Sequence, residues 1–286
     1  MKPQIMPTRR DMKFVLDPDK ITSWHGNSMH MSQFMNSMSL FFPVGERFFI
    51  HSVRLYRDQI TDPELQKAVT AFIGQEAMHG REHDEYNEHM DARGLPSKWM
   101  EKQVWRLLEQ IKAYAPKSLQ LAATVALEHL TAIMGDMLLR DERILEGADP
   151  KYAALWRWHA LEETEHKAVA FDVYKEVMKD NPAYGYALRS FALALATSIF
   201  FAMLYPYWIE MVRREKGLLN IRGWAKALNF QWGSPGGLRQ VVPQWFEWFK
   251  PGFHPWDHDN SHYLENIDEQ LAGTLPASAR ARVKAA

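Results

Sequence analysis

One four-residue pattern, Glu-x-x-His, occurs twice in stretches whose apolar residues recur every three or four positions. It joins Glu76 to His79 and Glu163 to His166. On an α-helix, residues three and four apart share a face, so each motif sets a carboxylate beside an imidazole. Neither face reads as a solvent stripe. Phe72 precedes Glu76 by one turn, and Leu155, Trp156, Ala170 and Val173 flank the second motif. His83 and His159 extend the two stripes, and Glu162 sits beside the second.

Two single carboxylates lie in the helical stretches between and before these motifs. Glu128 falls within "LAATVALEHLTAIM", and Glu46 within "LFFPVGERFFI". A lone carboxylate in such a setting is costly unless it is paired or metal-bound. Taken singly, each feature has a plain explanation, because charged helices often contain Glu-x-x-His and a single Glu is commonly half of a salt bridge. Their joint order, Glu, Glu-x-x-His, Glu, Glu-x-x-His, is what argues for one shared site. The chain contains no cysteine. Disulfides, thiolate nucleophiles, zinc–thiolate sites and cysteine-bound clusters are therefore excluded, and any metal must be held by His, Asp and Glu.

The coarse pattern predicts an all-α chain. No alternating run argues for a strand. Helical stretches are expected over 28–57, with Pro43 and Gly45 marking a kink or a fresh start, and over 61–93, opened by the cap signal Asp62-Pro63. Others follow over 97–113, 115–141 and 151–179, the last closed by Asn181-Pro182. The expected organisation is an irregular segment over 1–27, a metal-bearing helical bundle over 28–183, an apolar helix over 184–216, and an aromatic-rich cap with a loose tail over 217–286. In the cap, His254, Asp257, His258 and Asp259 read as turn-capping residues rather than a second metal site.

The ligand order resembles that of the ferritin-like di-iron carboxylate superfamily. With His159, the last motif becomes His-x-x-x-Glu-x-x-His, which resembles the arylamine N-oxygenases of that superfamily. The phrases "FPVGERFF", "FIGQEAMHGREH", "WHALEETEH" and "KPGFHPW" also resemble a bacterial family known as predicted metal-dependent hydrolases, over about residues 20–260. His83 and the apolar helix are additions to the N-oxygenase pattern. The fold these resemblances imply is a ferritin-like four-helix bundle with one extra apolar helix and a C-terminal cap.

They imply a ligand set of Glu46, Glu76, His79, Glu128, His159, Glu163 and His166. Glu76 and Glu163 would bridge, and Glu46 and Glu128 would be terminal. His79 and His166 would each serve one metal, and His159 would be a third nitrogen ligand. His83 would be a further ligand or an orienting donor, and Glu162 would orient an imidazole. The expected cofactor is two iron ions, with Mn/Fe or other divalent metals allowed by the same donors. The expected activity is that of a non-haem di-iron oxygenase using dioxygen and an electron donor to hydroxylate or N-oxygenate a small apolar substrate. Two-metal hydrolysis is the alternative, and non-enzymatic iron or oxidant handling a second one.

Lys and Arg number 34 and Asp and Glu 35, for a net charge of −1. No nucleic-acid partner is expected from that balance. The N-terminus lacks a signal-like apolar core, so a cytoplasmic location is expected. Residues 190–209 carry no charge, and that length could span a bilayer. Three placements are open for this helix: buried in the core, at the interface of a homodimer, or against a membrane.

Overall fold

The computed structural model describes residues 5–26 and 28–274. All regular structure among them is helical, as expected. Eleven α-helices follow in order: α1 Met29–Ser39, α2 Phe42–Arg54, α3 Pro63–Ala92, α4 Ser97–Tyr114, α5 Lys117–Arg140, α6 Pro150–His166, α7 Val169–Val177, α8 Pro182–Arg214, α9 Ile221–Trp232, α10 Gly237–Glu247 and α11 Ile267–Thr274. The tail expected over 275–286 lies outside the described residues.

The starts of the helices follow local chemistry. The Asp62 carboxylate accepts from the Glu64 N–H at the head of α3, with Pro63 in the first turn. Asp149 and Pro150 repeat the device at α6. At Pro43 the structure shows a helix start rather than a kink: α1 ends at Ser39 and α2 begins at Phe42. Pro43, in the first turn, gives up an N–H that no helical carbonyl would have received.

One expectation is corrected. The stretch 151–179 is two helices, stepped at Lys167 and Ala168. The cause is tertiary. The Lys167 ammonium is drawn into the C-terminal cap, where it donates to the His258 carbonyl at 2.8 Å and to Asn260 Oδ1 at 2.7 Å. It also sits 3.9 Å above the Trp256 ring. No pattern within the helix encodes that pull.

The four ligand-bearing helices α2, α3, α5 and α6 surround one interior. Close approach between α5 and α6 depends on Gly135, where an added Cβ would come within 3.3 Å of the Ala160 backbone. Ser52 Oγ on α2 and Thr124 Oγ1 on α5 lie 2.6 Å apart and link the other side. Around this bundle, α8 packs against α5 and α1 and reaches α4 and α10 through single hydrogen bonds. Its Trp208 indole donates to the His30 carbonyl, Tyr207 to the Met100 carbonyl, and Thr197 accepts from Trp245.

Both α5 and α8 are long and apolar enough to cross a membrane by composition. They differ in burial. The apolar window of α5 is 78% buried, so it is a core helix, whereas that of α8 is only 28% buried. Gly185, Arg189, Leu193, Phe200, Leu204 and Trp208 form a single inward stripe on α8. The opposite side exposes Phe191, Leu195 and Ile209. A helix apolar all round that buries only one stripe is unusual for a soluble surface.

Candidate metal centre

Each candidate ligand falls on the inward face of its helix, and all seven are buried. Glu46 comes from α2, Glu76 and His79 from α3, Glu128 from α5, and His159, Glu163 and His166 from α6. Their donor atoms converge in three overlapping groups: Glu46 with His79 and His159; Glu76 with His79 and Glu163; Glu76 with Glu128 and His166. Within each group the atoms lie within 4.8 Å of one another, a spacing that one cation could close.

Glu76 and Glu163 occupy the middle. Glu163 Oε1 is 3.0 Å from His159 Nε2, while Glu163 Oε2 is 3.6 Å from His166 Nε2. Glu76 Oε1 is 3.8 Å from His79 Nδ1 and 3.2 Å from His166 Nε2. Glu46 lies toward His159, at 3.9 Å, and Glu128 toward His166, at 3.5 Å. Room for Glu46 is made by Gly80, where a Cβ would come within 3.1 Å of Glu46 Oε2.

The inner atoms are short of partners. Both oxygens of Glu46, Glu76 and Glu128, together with His79 Nδ1 and His166 Nε2, are buried without a hydrogen bond. Native interiors rarely tolerate such orphans. Burial, followed by repulsion from neighbouring carboxylates, pushes Glu46, Glu76 and Glu128 well above the usual carboxylate range. Glu163 is held below it, because His166 and His159 outweigh its own burial. Burial, then the neighbouring His159, holds His79 well below the ordinary imidazole range. A crowded set of anionic oxygens and bare imidazole nitrogens, sealed from water, fits bound cations.

The outer nitrogens are all occupied, and proton counting fixes the roles of two rings. The Gln75 amide donates to the Thr8 carbonyl and to Glu165. Its oxygen therefore faces His166 Nδ1 at 3.0 Å and must accept from it, which leaves His166 Nε2 bare. The Ser39 hydroxyl donates to Asn87 Oδ1 at 2.7 Å, and Asn87 is held in that orientation by its own donation to the Ser39 carbonyl. Ser39 Oγ then accepts from His83 Nδ1 at 2.8 Å. His83 Nε2 in turn accepts from His159 Nδ1 at 2.8 Å, so that in the neutral His159 ring the lone pair is on Nε2.

His83 thus stands one residue back from the cluster and touches it through His159. Glu162 stands back likewise. Its Oε2 lies 3.1 Å from His79 Nε2, while its Oε1 takes the Trp158 indole and Arg10. Burial pushes the Glu162 carboxyl up to about 8 against the pull of Arg10.

Sequence reasoning missed Arg10, Ser39, Gln75, Asn87, Thr131 and Glu165. Arg10 is buried and joins Glu162, Glu165 and Asp268, the last two at 2.9 and 2.8 Å. Glu165 and Gln75 each adjoin a ligand, which is the only local signal they carry. Thr131 Oγ1 lies 2.5 Å from Glu163 Oε2. Replacing Arg10 with alanine leaves Glu162 and Glu165 buried without their cation. We expect a loss of about 3–5 kcal/mol in urea-unfolding stability, and a loss under 1 kcal/mol would show that this ion pair does not brace the fold.

His254 and His258 play no part in the cluster. His254 caps its own turn and lies 3.0 Å from Asp172, and His258 lies 3.4 Å from Asp136. His129 faces away from the cluster, stacked on Trp248.

The family model described as "Predicted metal-dependent hydrolase" matches residues 8–259. No curated protein and no solved structure matches the chain. The likeness to ferritin-like di-iron proteins and to N-oxygenases therefore rests on ligand order alone.

Proposed function

The chain belongs to the predicted metal-dependent hydrolase family, and from that premise we propose that it is a two-metal enzyme that hydrolyses an apolar organic substrate beside the buried cluster. The observation behind this reading is the set of eight orphaned inner atoms on Glu46, Glu76, His79, Glu128 and His166. One position would take Glu46, His79 and His159, the other Glu128 and His166, with Glu76 and Glu163 shared. Two divalent cations held there would balance four carboxylates and lower the pKa of a bound water toward neutrality.

The chain's own residues do the remaining work. His83, braced by Ser39 and Asn87, holds the His159 proton on Nδ1 and so keeps Nε2 turned inward. Gln75 does the same for His166. Arg10 and Trp158 fix Glu162, which in turn fixes the ring of His79. Thr131 sits against Glu163 and keeps that carboxylate from rotating. Partners of this kind commonly change metal affinity by about 10–100-fold.

A second reading is oxidation by dioxygen at an iron-loaded centre, with an external electron donor. It is favoured by the mixed carboxylate–imidazole donor set and by the apolar walls beside His159 and Glu163, which suit an apolar gas and an apolar substrate. Turnover of a panel of acyl esters and amides by protein loaded with Fe(II), Mn(II) or Zn(II), with and without dioxygen, separates the two. Hydrolysis predicts turnover without dioxygen and label from heavy-oxygen water in the product. Turnover that needs dioxygen and a reductant overturns it in favour of oxidation. No turnover, together with iron accumulating well beyond the two-metal load, overturns both in favour of iron handling.

A further inference from the structure

Beyond the cluster, a cavity of about 170 Å³ lies between α2, α4, α5 and α8. Thr131 is the only polar side chain among the residues lining it. Phe42, Thr131 and Met134 form its inner end. The same three residues also line a smaller cavity of about 60 Å³, whose walls include His159 and Glu163. The single polar group in the larger cavity is thus the one that touches a cluster carboxylate. Phe42, between the two cavities, rests its ring 4.6 Å from that of His159.

The cavity is long and narrow. Leu119, Ala123, Leu127, Thr131 and Met134 line it in succession along α5, a run of roughly 22 Å at ~1.5 Å per residue. Gly45, Ala123, Ala192 and Ala196 contribute walls where larger side chains would close it. Its outer end reaches Leu195, which is 42% exposed, one turn from Phe191, which is 56% exposed. The mouth therefore opens on the uncovered apolar side of α8. An apolar cavity of ~150 Å³ stays dry and takes up apolar guests.

We infer that this cavity binds a linear hydrocarbon chain, fatty-acyl or alkyl, entering beside α8 with its polar end stopping at Thr131 against the cluster. The shape selects a slender chain over a compact ring, and the lining offers nothing to a polar one. What happens at the chain's polar end rests on the two-metal reading; the binding itself does not.

The test is displacement of a fluorescent long-chain fatty acid by palmitate, on the full-length protein in metal-free and metal-loaded form. The chain is presented either as monomer in buffer or in phosphatidylcholine vesicles. Saturable binding is expected in both metal states. Ala123→Phe and Ala196→Phe, which fill the cavity from different helices, are each expected to weaken it about 10–100-fold while leaving metal content unchanged. Uptake from buffer or from vesicles supports the inference, and the faster arm names the source. Failure of palmitate to bind from either, or binding that both folded filling variants leave intact, overturns it. Binding of palmitate while metal-loaded protein leaves palmitoyl esters and amides unturned, with or without dioxygen, instead overturns the two-metal reading and leaves the chain site standing.

Discussion

Glu163→Ala is expected to empty both metal positions, whereas Glu46→Ala empties one. The difference follows from where the oxygens point. Glu163 presents Oε1 to His159 and Oε2 to His166, so it belongs to both halves of the cluster. Glu46 has a near neighbour only on the His159 side. Orienting partners alone are worth about 10–100-fold in affinity, and loss of a shared ligand exceeds the upper end of that range. Metal analysis of purified protein after equilibration with Fe(II) or Mn(II) reads the result. Equal losses in the two variants would rule out the shared role. Substitution at Glu46 acts oppositely on the metal-free fold. Removing a buried, unpaired carboxylate relieves its desolvation, so metal-free Glu46→Gln is expected to melt above the metal-free parent and, once loaded, below the loaded parent.

The metal-free protein is expected to lose stability as pH rises from about 6.5 to 8, and the loaded protein to lose little. Glu46, Glu76 and Glu128 are raised in the folded state, and Glu162 is raised to about 8. The folded chain therefore keeps protons that the unfolded chain has released, and stability falls with rising pH. His79 and His83 are lowered by burial and so work the other way, but only up to the ordinary imidazole range near 6.5. Glu163 is lowered, and its contribution is complete above the ordinary carboxylate range. Above 6.5 the raised carboxyls set the slope, ~1.4 kcal/mol per pH unit for each proton retained, opposed only near pH 8 by Lys167, whose ammonium burial lowers to about 8. A chain of this size should shift in Tm by roughly 2–4 °C for each kcal/mol. Calorimetry on chelator-treated protein measures it. A flat or rising Tm over that window would mean the cluster is not a set of buried, uncompensated carboxyls.

What the sequence made legible was whatever repeats at helical spacing. The inward stripes of α3 and α6, and the cap at Asp62-Pro63, depend on residues within a turn or two of each other. Glu46, Glu76, His79, Glu128, His159, Glu163 and His166 come from four helices, and the fold gathers them into one interior. Three things could not be read. The step at Lys167 is imposed by Asn260 and Trp256, far along the chain. The direction of the His83 ring is set by Ser39, whose position depends on how α1 lies against α3. Spacing placed His83 on the right face but could not say whether it looked at the cluster or at His159. The apolar run 190–209 was visible, but its one-sided burial was not, because which face packs is a property of its neighbours.

Arg10 reaches Glu162 over a sequence separation of 152, and Lys13 and Phe14 donate their backbone N–H groups to Glu82 on α3. That segment therefore completes its contacts only after α6 has been made. Such distant closures are slow steps in folding. Until that strap settles, Glu162 lacks its cation and the back of His79 is unbraced. The strap thus couples the first described segment to the back of the cluster: releasing Arg10 would loosen Glu162 and, through it, the ring of His79.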